Sequence, residues 1–273
     1  MALAEPVMIG ILNVTPDSFS DGAAHASVDD ALRHAEVLLE GGAGIIDVGG
    51  ESTRPGATEV DEVTESARVI PVIAALAARF PRIPISVDTV RGSTAGRALE
   101  AGASIVNDVT AGRHDPTLPA VAAGTGAGLV LSHSRGPLPR IASYDHADYD
   151  GDVTGTVLRE LGDATASVTA VGVAAGRIVI DPGFGFGKHP DQNFRLLDDL
   201  DAFVATGFPV LAAVSRKRFL GVATSREVGD RDRATAAACA LAVDRGAVLL
   251  RVHDPAAVRD AVAVAATLLR GRA

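Results

Sequence analysis

Eight short apolar segments of the chain are each accompanied by side chains that can form hydrogen bonds or carry charge. In chain order these side chains are Asn13, Glu51, Asp88, Asn107, Asp108, His133, Asp181, Ser215, Arg216, Lys217, Arg251 and His253. A single buried acidic residue is more often a helix cap or a salt-bridge partner than part of a functional site. Because the pattern recurs at eight segments, we interpret the set as one shared site.

The acidic and amide members of this set suit recognition of a nitrogen heterocycle. Asp88, Asn107 and Asp181 can accept hydrogen bonds from the ring N–H and the exocyclic amine of an aminopyrimidine. Asp108 is a further candidate. A carboxylate matches that edge of the ring with two parallel hydrogen bonds. The residue types therefore predict a pterin or a guanine-like ligand.

The cationic members of the set suit an anionic ligand. Pyrophosphate could be bound by Arg54, Lys217, Arg251 and His253. Asn13 offers a neutral oxygen ligand for an accompanying Mg²⁺. A lone arginine would be better explained as solvated surface charge, so this interpretation depends on the set as a whole.

The glycine-rich segment DPGFGFGK, at 181–188, is the least ordinary stretch of the sequence. Its proline and glycines end a strand and allow the backbone to approach a ligand closely. We expect Phe184 and Phe186 to be exposed there as a wall for a flat ligand; the alternative is that both rings pack beneath the turn. A Walker phosphate loop is excluded, because His189 follows Lys188 where Ser or Thr is required.

The eight apolar segments are rich in Val and Ile, and the intervals between them suit one helix each. The segments are 7–12, 44–49, 83–88, 104–109, 128–133, 177–181, 208–215 and 247–253. Helices are predicted between them, for example at 29–40, 61–78, 91–101 and 233–244. Near-continuous apolar strands are typical of a parallel sheet covered on both faces. The pattern predicts an α/β fold, a single-domain (β/α)8 TIM barrel spanning 1–273. An open doubly wound sheet is the alternative. It would be favoured by a glycine-rich fingerprint after the first strand, which this sequence lacks.

Composition limits the class of protein. The 273 residues are 47% hydrophobic, which is enough for one large core. The net charge of −9 argues against nucleic acid or an anionic membrane as a partner. The one cysteine, Cys239, cannot form an internal disulfide and is expected in the core. The first apolar run is too short for a signal or a membrane span, so we expect a cytoplasmic protein.

Seven blocks of the sequence together resemble the dihydropteroate synthase family. They are NVTPDSFSDG (13–22), GGESTRPGA (49–57), SVDT (86–89), NDV (107–109), DPGFGFGK (181–188), SRKRFLG (215–221) and RVHD (251–254). The resemblance implies a (β/α)8 barrel enzyme of folate biosynthesis, and usually a homodimer. It also implies that p-aminobenzoate is joined to 6-hydroxymethyl-7,8-dihydropterin pyrophosphate, with release of pyrophosphate in the presence of Mg²⁺.

The resemblance assigns roles to the matching residues. The pterin-binding and catalytic residues would be Asp88, Asn107, Asp181, Lys217 and Arg251. The pyrophosphate would be bound by Arg54, Arg251 and His253, and Mg²⁺ by Asn13. The p-aminobenzoate side would be lined by Phe19, Thr53, Pro55, Phe186 and Ser215. The partners are thus expected to be small-molecule substrates. The residue types also favour a pterin-like ring and a pyrophosphate.

The sequence departs from the family pattern after the fifth apolar segment. It reads SHSRG at 132–136, where HMRG or a similar block is usual. Ser132 and Ser134 would make the floor of the pocket wetter and could weaken pterin binding. This departure supports one alternative, a non-catalytic pterin-binding paralogue. A pterin-dependent methyltransferase of the same barrel type is another alternative, but it leaves Arg54, Lys217 and Arg251 without a pyrophosphate.

Overall fold

The computed structural model describes residues 5–14, 24–51 and 60–271, with the backbone alone for 24–27. Eight parallel strands lie in these ranges. They are β1 (Val7–Asn13), β2 (Ala43–Gly49), β3 (Ile85–Asp88), β4 (Ile105–Asp108), β5 (Gly128–Ser132), β6 (Ile178–Asp181), β7 (Leu211–Ala212) and β8 (Leu249–Val252). Each strand coincides with a predicted apolar segment to within one residue or lies inside it, which confirms the predicted strand positions.

The strands form one sheet in the order β6-β5-β4-β3-β2-β1-β8-β7. The sheet closes between β6 and the start of β7, where Ile180 forms an isolated parallel bridge with Val210. The Ile180 amide donates to the carbonyl of Pro209 at 3.0 Å in the same place. The predicted (β/α)8 barrel is therefore confirmed. The predicted strand at 208–215 is shorter than expected, since only two of its residues pair regularly with β8.

Helices cover the outer face of the barrel. They are α1 (Ala24–Glu40), α2 (Glu62–Arg79), α3 (Gly92–Glu100), α4 (Leu118–Thr125), α5 (Val153–Ala170), α6 (Pro190–Asp198), α7 (Leu200–Val204), α8 (Arg218–Thr224), α9 (Asp232–Asp244) and α10 (Pro255–Arg270). Two helices each follow β6 and β7, so the expectation of one helix per strand is wrong there. Over the described ranges, none of the helices has both the length and the apolar character needed to cross a bilayer.

The interior of the barrel is layered, because every second residue of a strand points inward. A lower layer is apolar and contains Ile9, Ile45, Ile105, Val130, Val179, Leu211 and Leu249. Two residues further along their strands, the same alternation brings in Asp47, Asn107, Asp181 and Arg251. The apolar layer thus fills the barrel beneath a polar layer, and the polar layer lies at the C-terminal ends of the strands.

The turn after β6 is built on glycine. Gly183 has a φ of +71°, and a Cβ at this position would lie 1.7 Å from the carbonyl oxygen of His133. Its amide donates to Asp181 Oδ1 at 2.8 Å. Gly187 also has a positive φ, of +56°, but the nearest atom to its Cβ position is 3.8 Å away. Only Gly183 therefore combines left-handed backbone with a close approach to neighbouring backbone.

We predict that Gly183→Ala destabilises the protein more than Gly187→Ala. The second substitution meets only the cost of left-handed backbone, about 1–2 kcal/mol. The first must also displace the chain at His133 and weaken the hydrogen bond to Asp181. Urea denaturation of both variants measures the difference in the free energy of unfolding. Equal losses of stability would contradict the close packing described for Gly183.

Candidate active site

Five inward-facing side chains form a buried polar cluster at the C-terminal ends of five strands. They are Asp47 on β2, Asp88 on β3, Asn107 on β4, Asp181 on β6 and Arg251 on β8. Asp47, Asn107 and Asp181 are at most 3% exposed. Barrel enzymes bind their ligands at this end of the strands. The structure thus brings together four residues predicted to bind the pterin.

Asp47 is the member of the cluster that the sequence analysis missed. It lies inside the apolar segment 44–49, whereas the candidates were sought where such segments end. A carboxylate within an otherwise apolar strand was itself a signal, because a buried charge requires a partner. The partner, Arg251, is 204 residues away in the chain and could not be identified from local sequence.

Arg251 is held by two carboxylates. Its Nε donates to Asp47 Oδ2 and its Nη2 to Asp88 Oδ2, each at 2.6 Å. Burial works to lower the pKa of Arg251, but the charges of Asp47 and Asp88 raise that pKa above its usual value. The guanidinium therefore stays charged. Both donors of one edge are occupied, which fixes the plane of the group.

The carboxyl group of Asp88 is strongly perturbed by its surroundings. Burial raises its pKa to about 7, while the adjacent charge of Arg251 works in the opposite direction. The negative charges of Asp47, Glu65 and Asp108 raise the pKa further. Asp88 therefore changes its protonation state close to neutral pH.

Asp181 is fixed by hydrogen bonds to both of its oxygens. Oδ1 accepts from the Gly183 amide and Oδ2 from the Ser132 hydroxyl, each at 2.8 Å. Burial raises the pKa of Asp181, and these two hydrogen bonds oppose that shift. Ser134 in turn donates to the Val109 carbonyl at 2.7 Å. The two serines that depart from the family pattern thus both have protein partners. One of them, Ser132, orients Asp181, a residue predicted to bind the pterin.

Lys217 lies beside the glycine-rich turn. Its ammonium nitrogen is 4.0 Å from the centre of the Phe186 ring, and a Cβ at Gly185 would lie 2.9 Å from its Cδ. Burial lowers the pKa of Lys217 to about 8, against the opposing charge of Asp181. The missing side chain at position 185 therefore provides the space that the lysine occupies.

The phenylalanines of the turn are not exposed, so that expectation is wrong. Phe184 is completely buried in the main core, and its ring stacks on Phe219 with centroids 6.1 Å apart. Phe186 packs in a small cluster with Val90, Val109 and Ile141. The reason is that Gly183 turns the chain back towards the barrel, which directs both rings into apolar surroundings.

Lys188 is buried and anchors the same turn. Its ammonium donates to the carbonyls of Gly183 and Phe186, each at 3.0 Å, and to Nδ1 of His133 at 2.9 Å. Burial lowers the pKa of Lys188 to about 7. His133 is directed away from the polar cluster, and its Nε2–H donates to Glu160 at 2.7 Å. These two residues therefore support the loop, whereas Lys217 lies close enough to the polar cluster to interact with Asp181 and Asp88.

Asn13 and His253 line a cleft at the ends of β1 and β8, which is bordered on one side by His34, Val37 and Leu38 of α1. The cleft has a volume of about 340 Å³ and also borders Arg216 and the first residue of α10, Pro255. Ser215 is buried, and its hydroxyl lies 3.0 Å from Nδ1 of His253. The same hydroxyl accepts from the backbone amide of His253 at 3.1 Å, so it holds this residue through both main chain and side chain.

Three other candidates from the strand ends support local structure. Asp108 accepts from the Thr110 hydroxyl and from two amides of its own loop. Glu51 pairs with Arg91 at 2.9 Å. Arg216 pairs with Asp232 at 2.7 Å through Nε. Of the remaining predicted site residues, Phe19, Thr53, Arg54 and Pro55 lie outside the described residues.

Comparison with known proteins agrees with this geometry. Residues 9–253 match the family model described as pterin binding enzyme. The dihydropteroate synthase of Mycobacterium leprae (strain TN) is 44% identical over 270 residues, which cover 97% of this chain and 94% of the relative.

Solved structures are similar over nearly the whole chain. Dihydropteroate synthase of Xanthomonas albilineans with 4-aminobenzoic acid has a TM-score of 0.89 and 44% identity, covering 97% of this chain and 93% of that one. A structure of the enzyme from the same organism in complex with 7,8-dihydropteroate has a TM-score of 0.86 and 41% identity. It covers 98% of this chain and 95% of that one.

We predict that Lys188 makes stability depend on pH. Its pKa is about 7 in the folded protein and rises to the ordinary value of 10.5 on unfolding. Between these two pH values Lys188 is protonated more fully in the unfolded chain than in the folded protein. The contribution of Lys188 to the free energy of unfolding therefore becomes more favourable to the folded state as pH rises. The free energy of unfolding of the wild type minus that of Lys188→Met should increase by up to about 1.4 kcal/mol per pH unit.

Chemical denaturation of both proteins at several pH values measures this difference. Other titrating groups cancel to first order, because they are present in both proteins. A difference that is flat across the window, or that falls with pH, would show that Lys188 stays protonated in the folded state.

Proposed function

We infer the activity of this chain from its membership of the pterin-binding enzyme family, in which it belongs to the dihydropteroate synthases. It is a transferase of folate biosynthesis. The reaction joins p-aminobenzoate to 6-hydroxymethyl-7,8-dihydropterin pyrophosphate and gives 7,8-dihydropteroate and pyrophosphate. The observation that carries this function is the set of acceptors at Asp88, Asn107 and Asp181 at the C-terminal ends of the strands, with Lys217 and Arg251 beside them.

We propose that the acceptors recognise the pterin ring. Asp181 is oriented by Ser132 and Gly183, so its carboxylate is directed before the ligand arrives. Preorganised acceptors of this kind match the ring N–H and the amine of the aminopyrimidine edge. The hydrogen bond from Ser132 holds Asp181 in place, so this departure from the family pattern does not loosen the proposed pterin site.

The chemical step is a displacement at the exocyclic methylene carbon of the pterin. The carbon–oxygen bond to pyrophosphate breaks with its electron pair on the oxygen, a carbon–nitrogen bond forms to the aniline nitrogen, and that nitrogen releases a proton. The electron-rich dihydropterin can delocalise positive charge at the methylene. The protein therefore needs no covalent nucleophile, and the charges of Arg251 and Lys217 act on the leaving anion and on the ring.

We propose that pyrophosphate and Mg²⁺ occupy the cleft at Asn13 and His253. The amide oxygen of Asn13 and Oδ2 of Asp88 both approach the Cβ position of Gly49, at 3.7 and 3.8 Å, which places this neutral oxygen at the edge of the polar cluster. One neutral protein oxygen together with substrate phosphates is a common arrangement for Mg²⁺. The ion would neutralise charge on the leaving group. Arg54 remains a further proposed ligand of the pyrophosphate.

We propose that p-aminobenzoate binds on the side of the cluster formed by Phe186 and Ser215. The Phe186 ring lies 4.0 Å from the Lys217 ammonium, so an aminobenzoate on this side would lie next to the proposed pterin site. Phe19, Thr53 and Pro55 are proposed to complete this side. We thus propose that the partners are small molecules, and that neither nucleic acid nor a membrane is bound. The proposed location of the protein is the cytoplasm.

The activity is tested by incubating the protein with p-aminobenzoate, the pterin pyrophosphate and Mg²⁺. We expect formation of dihydropteroate, and loss of turnover when a chelator removes the metal. Lys217→Met and Arg251→Met should each reduce kcat/KM by about 100-fold, since each removes charge that acts in the transition state. Binding of the pterin without turnover by the wild type would support the paralogue.

Arg245→Met is the matched control for these variants. Arg245 also pairs with a carboxylate, that of Asp198, but both side chains are exposed and remote from the strand ends. An exposed ion pair contributes little to stability, so the control should keep turnover within about twofold of the wild type. Similar losses in all three variants would remove the case for specific roles of Lys217 and Arg251.

We propose a homodimer that forms through α9 and α10. Their outer surfaces expose Leu241, Val264 and Leu268, and Val222 on α8 is also exposed. The two helices pack against each other, so both could contribute to one interface. Apolar patches of this kind are typical of subunit interfaces.

The dimer is tested by analytical ultracentrifugation. The wild type should sediment as a dimer, and Val264→Glu should shift it to a monomer because a buried carboxylate would lack a partner. Val63→Glu is the control, since Val63 is exposed to a similar degree but lies on α2. A monomeric wild type, or an equal shift in both variants, would contradict the proposed interface.

A further inference from the structure

We propose that Asp47 is a positioning residue of the active site. It holds Arg251 so that the guanidinium is shared between Asp47 and Asp88, and the remaining edge of the guanidinium is kept for the substrate. This inference rests on the proposed function of the cluster. It concerns a residue that touches other site residues, without itself being assigned to a substrate.

The first support is the way in which Asp47 links the site. Its Oδ2 accepts from Arg251 Nε at 2.6 Å and from Asn107 Nδ2 at 3.2 Å. Along the barrel, β2 lies two strands from β8 on one side and two strands from β4 on the other. One carboxylate oxygen therefore joins the cationic and the amide members of the cluster across the interior.

The second support is the sharing of Arg251. The Nε and Nη2 donors of arginine form a fork that fits a single carboxylate with two parallel hydrogen bonds. In this site the fork is divided between Asp47 and Asp88. Within the described ranges, Asp88 Oδ1 and Arg251 Nη1 have no protein hydrogen-bond partner. Without Asp47, Arg251 could engage both oxygens of Asp88 and leave less of each group for a ligand.

The third support is a pair of buried acceptors. Asp47 Oδ1 and Asn107 Oδ1 are both buried and lack a partner among the described residues. Turning the amide of Asn107 around would put its oxygen against the Asp47 carboxylate, so the present orientation is the favourable one. Unpaired buried acceptors are rare in folded proteins, and they persist where a ligand or an ordered water supplies the donor. Asn107 is proposed to bind the pterin through its oxygen, and Asp47 holds the opposite end of that amide through Nδ2.

The charge of Asp47 also acts on Asp88. Asp88 is faced by Arg251 from β8, Asp47 from β2, Glu65 from α2 and Asp108 from β4, and it interacts with Lys217. Asp47 is the largest of the negative contributions that raise the pKa of Asp88. Removing this charge should lower that pKa, and releasing the arginine towards Asp88 should lower it further. Both effects have the same sign, which gives the inference a specific readout.

The test is Asp47→Asn, with kcat/KM for the pterin pyrophosphate measured between about pH 5 and pH 9, a profile that reports on the free enzyme. In the wild type, kcat/KM should rise with pH near the pKa of Asp88, as its carboxylate forms. In the variant, kcat/KM at neutral pH should be lower by about tenfold or more, because the carboxylate that orients Arg251 has been removed. The rise of kcat/KM with pH should occur at lower pH in the variant than in the wild type. KM for p-aminobenzoate should change little.

Asp115→Asn is the control. Asp115 is a carboxylate that caps Gly92 and Thr117 through their amides and does not act on Asp88. This variant should keep the pH profile of the wild type. An unchanged profile with normal kcat/KM in Asp47→Asn would overturn the inference, whereas absence of dihydropteroate formation by the wild type would overturn the proposed function.

A second variant separates positioning from folding. If Asp47→Asn fails to fold, Asp47→Ser, which leaves room for water beside Arg251, takes its place in the same assay. A folded Asp47→Ser with the shifted profile supports the inference. Failure of both variants to fold would assign Asp47 a structural role and overturn the positioning role.

Discussion

The sharing of one guanidinium between two carboxylates is the interaction on which the polar end of this barrel depends. Asp47, Asp88 and Asp181 would repel one another inside an apolar barrel if no cation lay between them. Arg251 offsets that repulsion while keeping a fixed plane. The same balance leaves Asp88 near its point of protonation, so the cluster is poised to respond to a ligand that brings its own hydrogen-bond donors.

The layered interior provides the setting for this interaction. Alternation along the strands puts isoleucine, valine and leucine side chains directly below the charged groups. That floor keeps water out from beneath the cluster, and low local polarity strengthens each hydrogen bond above it. The turn at 181–188 completes the site from the side. Lys188 donates to two carbonyls of this turn, and Gly185 leaves space for Lys217.

Much of the fold could be predicted, because eight apolar segments with helical intervals between them suit few architectures. The details that failed are those set by closure and by turns. The strand at 208–215 pairs over only two residues, because the barrel closes there through the bridge between Ile180 and Val210. The rings of Phe184 and Phe186 are buried, because the left-handed turn at Gly183 reverses the chain. Neither feature follows from local hydrophobic pattern.

For the site, the sequence by itself determined the residue types available at the strand ends and the order in which the strands deliver them. Asp88, Asn107, Asp181 and Arg251 could be identified in this way, because parallel strands end at one edge of the barrel. Lys217 was assigned to the site from the sequence, and only the tertiary structure decided what each of the two lysines contacts. Lys188 is surrounded by carbonyls and His133, whereas Lys217 faces Asp181. It also added Asp47, whose partner is 204 residues away. Such pairings depend on which residues face each other across the barrel, and a linear sequence does not contain that distance.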